Sequence, residues 1–179
     1  MTNNNYAILM AGGIGSRFWP MSVEERPKQF LDVLGIGKTL IQLTYDRLSS
    51  IVPAKNFYVV TNHKYIDLVQ QQLPELKPHQ ILAEPERKNT APCITYAAAK
   101  IYSKNPKAIL IVAPSDHLIL KEHRFARIVN IAIKRVQEND KLLTLGIKPN
   151  RPDTGYGYIQ FHQEGDITPG QISKVKQFT

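Results

Sequence analysis

The chain has 179 residues, enough for one domain with a real core, and its 42% apolar and 21% charged residues are those of a globular protein. A single cysteine, Cys93, excludes an internal disulfide and a cysteine metal cluster. The formal net charge of +8 suits an anionic ligand, but the Lys and Arg residues are scattered and no nucleic-acid recognition motif accompanies them.

The first apolar run, Tyr6–Met10, reads as a buried strand and passes into a glycine-rich turn at Gly12, Gly13 and Gly15. Glycines remove Cβ atoms where a ligand approaches backbone N–H groups, and successive N–H groups make a nest for phosphate oxygens. Arg17 and Lys28 add two cations of different geometry, a planar fork and a point charge. The turn is not a P-loop, because Lys38-Thr39 lacks the first glycine of that motif. Nor is it the dinucleotide fingerprint, because Phe18 falls where the third glycine should be. On glycine pattern alone, an ordinary turn remains an alternative.

Further along, apolar residues at 40, 41, 43, 48 and 51 predict a helix over Thr39–Val52, with Thr39 as its cap. Phe57–Thr61 predicts a strand, Lys64–Leu73 a helix, Gln80–Ala83 a strand and Ala91–Ser103 a helix with Pro92 in its first turn. Ala108–Ala113, Glu122–Gln137 and Lys141–Gly146 continue as strand, helix and strand. Cys93 falls in the apolar pattern of its helix, so core packing is the role it suggests. This alternation predicts an α/β fold, a Rossmann-like doubly wound, mostly parallel sheet with helices on both faces. Tyr158–Phe161 and Ile172–Phe178, separated by turn-rich His162–Gly170, predict a small antiparallel excursion. No apolar run reaches the ~20 residues of a membrane span, and no basic, apolar leader opens the chain. The expected location is cytoplasmic.

Ligands of open α/β sheets lie beyond the carboxyl ends of the strands. The glycine turn, Glu84 and Asp116 all follow such ends, so three chemically useful loops should share one rim. Asp116 is a hard oxygen donor suited to a divalent cation, with a turn cap after Ser115 as its alternative role. Asn89 and Thr90 either contact a ligand or cap the following helix. His117 reads as structural.

Ala11-Gly12-Gly13-Ile14-Gly15-Ser16-Arg17-Phe18-Trp19-Pro20 followed by Pro27-Lys28-Gln29-Phe30-Leu31 resembles the signature of the sugar nucleotidyltransferases. Trp19 and Gln29 resemble the mannose-1-phosphate guanylyltransferase branch. Three later blocks extend the resemblance across nearly the whole chain: Glu84–Pro92, Val112–His117 and Arg151–Tyr158. It implies the nucleotide-diphospho-sugar transferase fold and transfer of GMP from GTP to mannose 1-phosphate, giving GDP-mannose and pyrophosphate, with Mg²⁺. Arg17 and Lys28 would be the catalytic cations. Ala11, Gly12, Gly13, Gly15, Ser16, Arg17, Lys28, Glu84, Asn89 and Thr90 would bind the nucleotide, with Glu84 placed to accept from guanine. Asp116 would hold the metal, and Gly155 and Tyr156 the sugar.

A transferase specific for UTP or dTTP, or a GTP-binding module without catalysis, are the alternatives. Residues 1–179 read as one nucleotidyltransferase domain that stops short of the family's remaining sugar-phosphate blocks, so weak GTP binding and little turnover are expected. GTP and mannose 1-phosphate are the expected partners, with neither nucleic acid nor membrane among them. The oligomeric state, a homo-oligomer included, is left open.

Overall fold

The computed structural model describes residues 4–13, 18–86, 88–162 and 168–179. The chain divides into two compact units, Met1–Ala126 and Arg127–Thr179.

The first unit is built on four parallel strands, β1 (Asn5–Met10), β2 (Phe57–Asn62), β3 (Ile81–Glu84) and β4 (Ile109–Pro114), in the order β3-β2-β1-β4. Three helices of this unit, α1 (Leu40–Ser49), α2 (Ile66–Gln72) and α3 (Thr90–Tyr102), alternate with the strands. Side chains alternate across the sheet, as the two-residue period of a strand requires. Ile8, Tyr58, Val60 and Leu82 form one core cluster with Cys93, Ala97 and Ile101 of α3. Phe57, of opposite parity to Tyr58, packs its ring against Tyr45 of α1 with centroids 4.5 Å apart. The sheet is therefore wound on both faces, and its interior strands read as unbroken apolar runs because neither face meets water.

Local chemistry explains the helix starts. Gln42 reaches back to accept the N–H of Thr39 at 2.9 Å, satisfying a donor left over at the start of α1. Gln80 spends its amide on the carbonyls of Ala54 (2.8 Å) and Phe57 (2.7 Å), fixing the entry to β2.

A further helix, α4 (Glu122–Glu138), carries the chain into the second unit, which contains the antiparallel pair β5 (Ile159–Phe161) and β6 (Val175–Phe178). One expected strand is corrected. Lys141–Gly146 carries no strand, and Leu142 and Leu145 are exposed. Its leucines match a buried strand in composition, but a strand needs a neighbouring edge to take its N–H and C=O groups, and this segment is paired with none among the described residues. Among the described residues, no helix is long and apolar enough to cross a membrane.

Candidate functional site

The chain runs from β1 to β2 to β3 on one side of the sheet and returns with β4 on the other side of β1. The strand order reverses between β1 and β4, and a crevice at such a switch point is where open α/β sheets bind ligands. Met10 and Pro114 are register partners at this end of the sheet. The loops that leave them are the glycine turn and the Ser115–His117 segment.

The glycine turn is held by its carbonyls. Ala11 donates its N–H to Val60 O at 2.8 Å, the last bond of the strand pairing. Ser115 donates its hydroxyl to Met10 O at 2.7 Å. Thr61 donates to Ala11 O at 2.9 Å. Gln29 donates from one amide nitrogen to both Ala11 O and Gly13 O, each at 2.9 Å. Among the described residues, the N–H of Gly12 has no partner.

Gly12 is required by its neighbour. A Cβ there would stand 2.9 Å from Glu84 Oε2, a separation that real Cβ atoms essentially never show. Glu84 ends β3 and is buried. Its charge also reaches Cys93: burial first, and then this carboxylate, push the thiol up to about 11. Cys93 sits in the core cluster, as its apolar context predicted.

Lys28 opens a short 3₁₀ turn, Lys28–Phe30, after Pro27. Its ammonium lies 3.9 Å from Asp116 Oδ2 and 5.3 Å from the centre of the Phe18 ring. Both partners of the ion pair are partly exposed, so the pair contributes little and is easily exchanged for a better one. His117 Nε2 is 3.9 Å from Asp116 Oδ1. Asp116 stands apart from any cluster of three or more His, Cys, Asp or Glu residues among those described. A lone carboxylate suits a Mg²⁺ ion that takes its other ligands from phosphates and water, and does not suit an ion caged by protein alone.

Asn89 precedes α3 with φ 62° and ψ −162°, and its side chain makes no capping hydrogen bond. The side-chain cap offered as one reading of Asn89 is therefore not formed; the helix opens at Thr90, one residue earlier than expected. Such a backbone conformation is strained for a residue with a Cβ. Gly15, Ser16 and Arg17 lie outside the described residues.

Gly155 and Tyr156 belong to the second unit. Asp153 organises their turn: Oδ1 accepts the N–H of Gly155 at 2.9 Å and Oδ2 pairs with Arg151 at 3.0 Å. The hydroxyl of Tyr158 accepts from Asp153 N at 2.8 Å and lies 3.0 Å from Asp153 O, to which it donates. Tyr156 is exposed.

The structure thus brings Gly12 against Glu84 and Lys28 against Asp116, the four being drawn from separated sequence blocks. Sequence reading gave no structural role to Gln29, Thr61 or Ser115. Only Gln29 left a signal, its place beside Lys28.

Residues 6–179 match the family described as Nucleotidyl transferase. The xanthan biosynthesis protein XanB of Xanthomonas campestris pv. campestris is 42% identical over 155 residues, which are 86% of this chain and 32% of XanB. A mannose-1-phosphate guanylyltransferase of Escherichia coli K12 is 39% identical over 174 residues, 95% of this chain and 35% of that protein. The crystal structure of a Thermus thermophilus protein described as a mannose-1-phosphate geranyltransferase superposes with a TM-score of 0.84 at 29% identity, covering 98% of this chain and 49% of that one. The chain spans about a third of the length of the curated relatives it matches. With its parallel sheet, its wound helices and a family match that runs from β1 to the last residue, the chain belongs to the nucleotidyl transferase family.

Proposed function

We propose that this chain forms the nucleotide side of a mannose-1-phosphate guanylyltransferase. The substrates are GTP and mannose 1-phosphate, and the products GDP-mannose and pyrophosphate. The observation that carries this reading is the rim at the β1/β4 switch point, where a glycine turn, a buried carboxylate and a Lys–Asp pair stand together. Relatives that bear the name mannose-1-phosphate guanylyltransferase support the choice of sugar and base.

The phosphate of mannose 1-phosphate is already an anionic nucleophile, so no general base is needed. Its oxygen attacks the α-phosphorus of GTP, the bond to the β-phosphate oxygen breaks, and pyrophosphate leaves. Catalysis is then positioning and charge stabilisation. The N–H groups of the glycine turn, with Gly15, Ser16 and Arg17 continuing it, cradle the phosphates. Lys28 leaves Asp116 for the α-phosphate and stabilises the charge that accumulates there; such a contribution is worth a few kcal/mol of barrier, about 10²–10³ in rate.

Glu84 accepts from guanine N1–H and the exocyclic amine, with Ala11, Gly12, Asn89 and Thr90 lining the base. The sugar is assigned to Gly155 and Tyr156 on the strength of the family resemblance alone. Asp116 would hold Mg²⁺, which would supply positive charge against that of the phosphates. The unpaired thiol of Cys93 suits a reducing compartment, and we place the reaction in the cytoplasm.

Calorimetric titration of GTP, UTP, dTTP and ATP into the chain, each with and without Mg²⁺, tests the assignment. The expected result is binding of GTP in preference to the others and strengthened by Mg²⁺. Preference for a pyrimidine nucleotide would move the enzyme to another branch of the family. Indifference to all four would remove the nucleotide site.

A further inference from the structure

Gln29 is 3% exposed, in the middle of the 3₁₀ turn that also carries Lys28. Both N–H groups of its side-chain amide are directed at main-chain oxygens of the glycine turn, Ala11 O and Gly13 O, at 2.9 Å each. Thr61, fully buried at the end of β2, gives Ala11 O a second donor. Ser115, buried at the exit of β4, holds Met10 O. Three side chains from three separate segments therefore hold the carbonyls of Met10, Ala11 and Gly13.

A trans peptide carries its C=O and the next N–H on opposite sides of one plane. With Ala11 O drawn to Gln29 and Thr61, the N–H of Gly12 must face away from them. That N–H is the first one past β1 left without a partner among the described residues, since Ala11 N–H is spent on Val60 O. Glycine has little intrinsic preference among backbone conformations. A turn made of glycines cannot aim its own amides; something outside it has to.

We propose that Gln29, seconded by Thr61, is a positioning residue that pre-orients the amides of the glycine turn, Gly12 first, toward the nucleotide, while Ser115 anchors the strand end before it. The proposal rests on the nucleotide-site reading above and adds the device that organises it. Gln29 touches no reacting atom. It acts through the peptide planes, and because it adjoins Lys28 the same short turn sets both the donors and the cation.

The test uses the 179-residue chain with Gln29→Met, which keeps length and bulk but removes both donors, and Thr61→Val, which removes one hydroxyl at nearly constant volume. GTP·Mg²⁺ binding is measured by calorimetry well below each variant's melting temperature, and glycine amides are followed by ¹⁵N-selective NMR. Losing two hydrogen bonds and leaving Gly13 O without its side-chain donor should weaken GTP by about tenfold or more in Gln29→Met, and by less in Thr61→Val, where Ala11 O keeps Gln29.

The spectroscopic signature separates positioning from general destabilisation. The Gly12 and Gly13 amide signals should shift or broaden, while those of Gly35, Gly37 and Gly146 stay in place. Wild-type affinity in a folded Gln29→Met chain, or unchanged Gly12 and Gly13 amides in both variants, overturns the proposal. A wild-type chain that fails to bind GTP overturns the nucleotide site itself, and with it the purpose assigned to Gln29.

Discussion

Lys28 and Asp116 show how little one contact has to be worth to matter. At 3.9 Å between partly exposed groups, the pair adds little to folding. It keeps two opposite charges beside each other where a polyphosphate and its counter-ion would later separate them. Cys93 illustrates a buried group whose titration reaches stability. Its thiol is pushed up to about 11 from an ordinary 9.0, by burial first and the Glu84 carboxylate second. Between those two values the unfolded chain has lost the proton and the folded chain has kept it. Rising pH therefore favours unfolding, and stability that is fully present below about pH 9 is lost as pH climbs toward 11. Urea unfolding at pH 8 and pH 10.5 should show wild type losing about 2 kcal/mol more than Cys93→Ala over that interval. An identical loss in both would mean that the thiol titrates normally.

Elements were legible in the sequence where pattern and environment agree. The core strands β1 and β2 announced themselves as apolar runs, and α1 and α3 by helical spacing, because both faces of the sheet are covered there; β4, at the end of the sheet and mostly half-buried, carried the same apolar pattern. Lys141–Gly146 had the same composition without the same surroundings. Its leucines lie exposed, and no strand pairs with it among the described residues. Hydrogen exchange should find the amides of 142–146 exchanging at near the rate of an unstructured peptide, while those of β1 and β2 are protected by orders of magnitude. Strong protection over 142–146 would mean that this segment pairs in solution.

The site divides along similar lines. Gly12, Lys28, Glu84 and Asp116 were legible as candidates because they stand in the glycine turn, the block after it and the strand-end loops, although an ordinary turn or cap was open to some of them; the structure pairs Gly12 with Glu84 and Lys28 with Asp116. Gln29, Thr61 and Ser115 were not legible. Their work depends on carbonyls that lie 18, 50 and 105 residues away in sequence and meet them only in the folded chain. Asn89 shows a local rule failing: an asparagine before a helix reads as a cap, yet φ 62° turns its backbone into a conformation in which the side chain caps nothing.

At the scale of the molecule, strand order does the most. Placing β4 beside β1 makes a switch point, where open α/β sheets bind ligands, and loops from residues 12, 28, 84 and 116 meet in two close pairs. That topology is what would let chemistry scattered over a hundred residues act on one ligand, as proposed. A crystal structure of the chain with GTP and Mg²⁺ bound is the most direct test. The triphosphate is expected against the N–H groups of Gly12 and Gly13, with Lys28 drawn from Asp116 to the α-phosphate, the metal on Asp116 and the guanine edge on Glu84. GTP lodged elsewhere, or bound at this rim with Lys28 still paired to Asp116, would contradict that expectation.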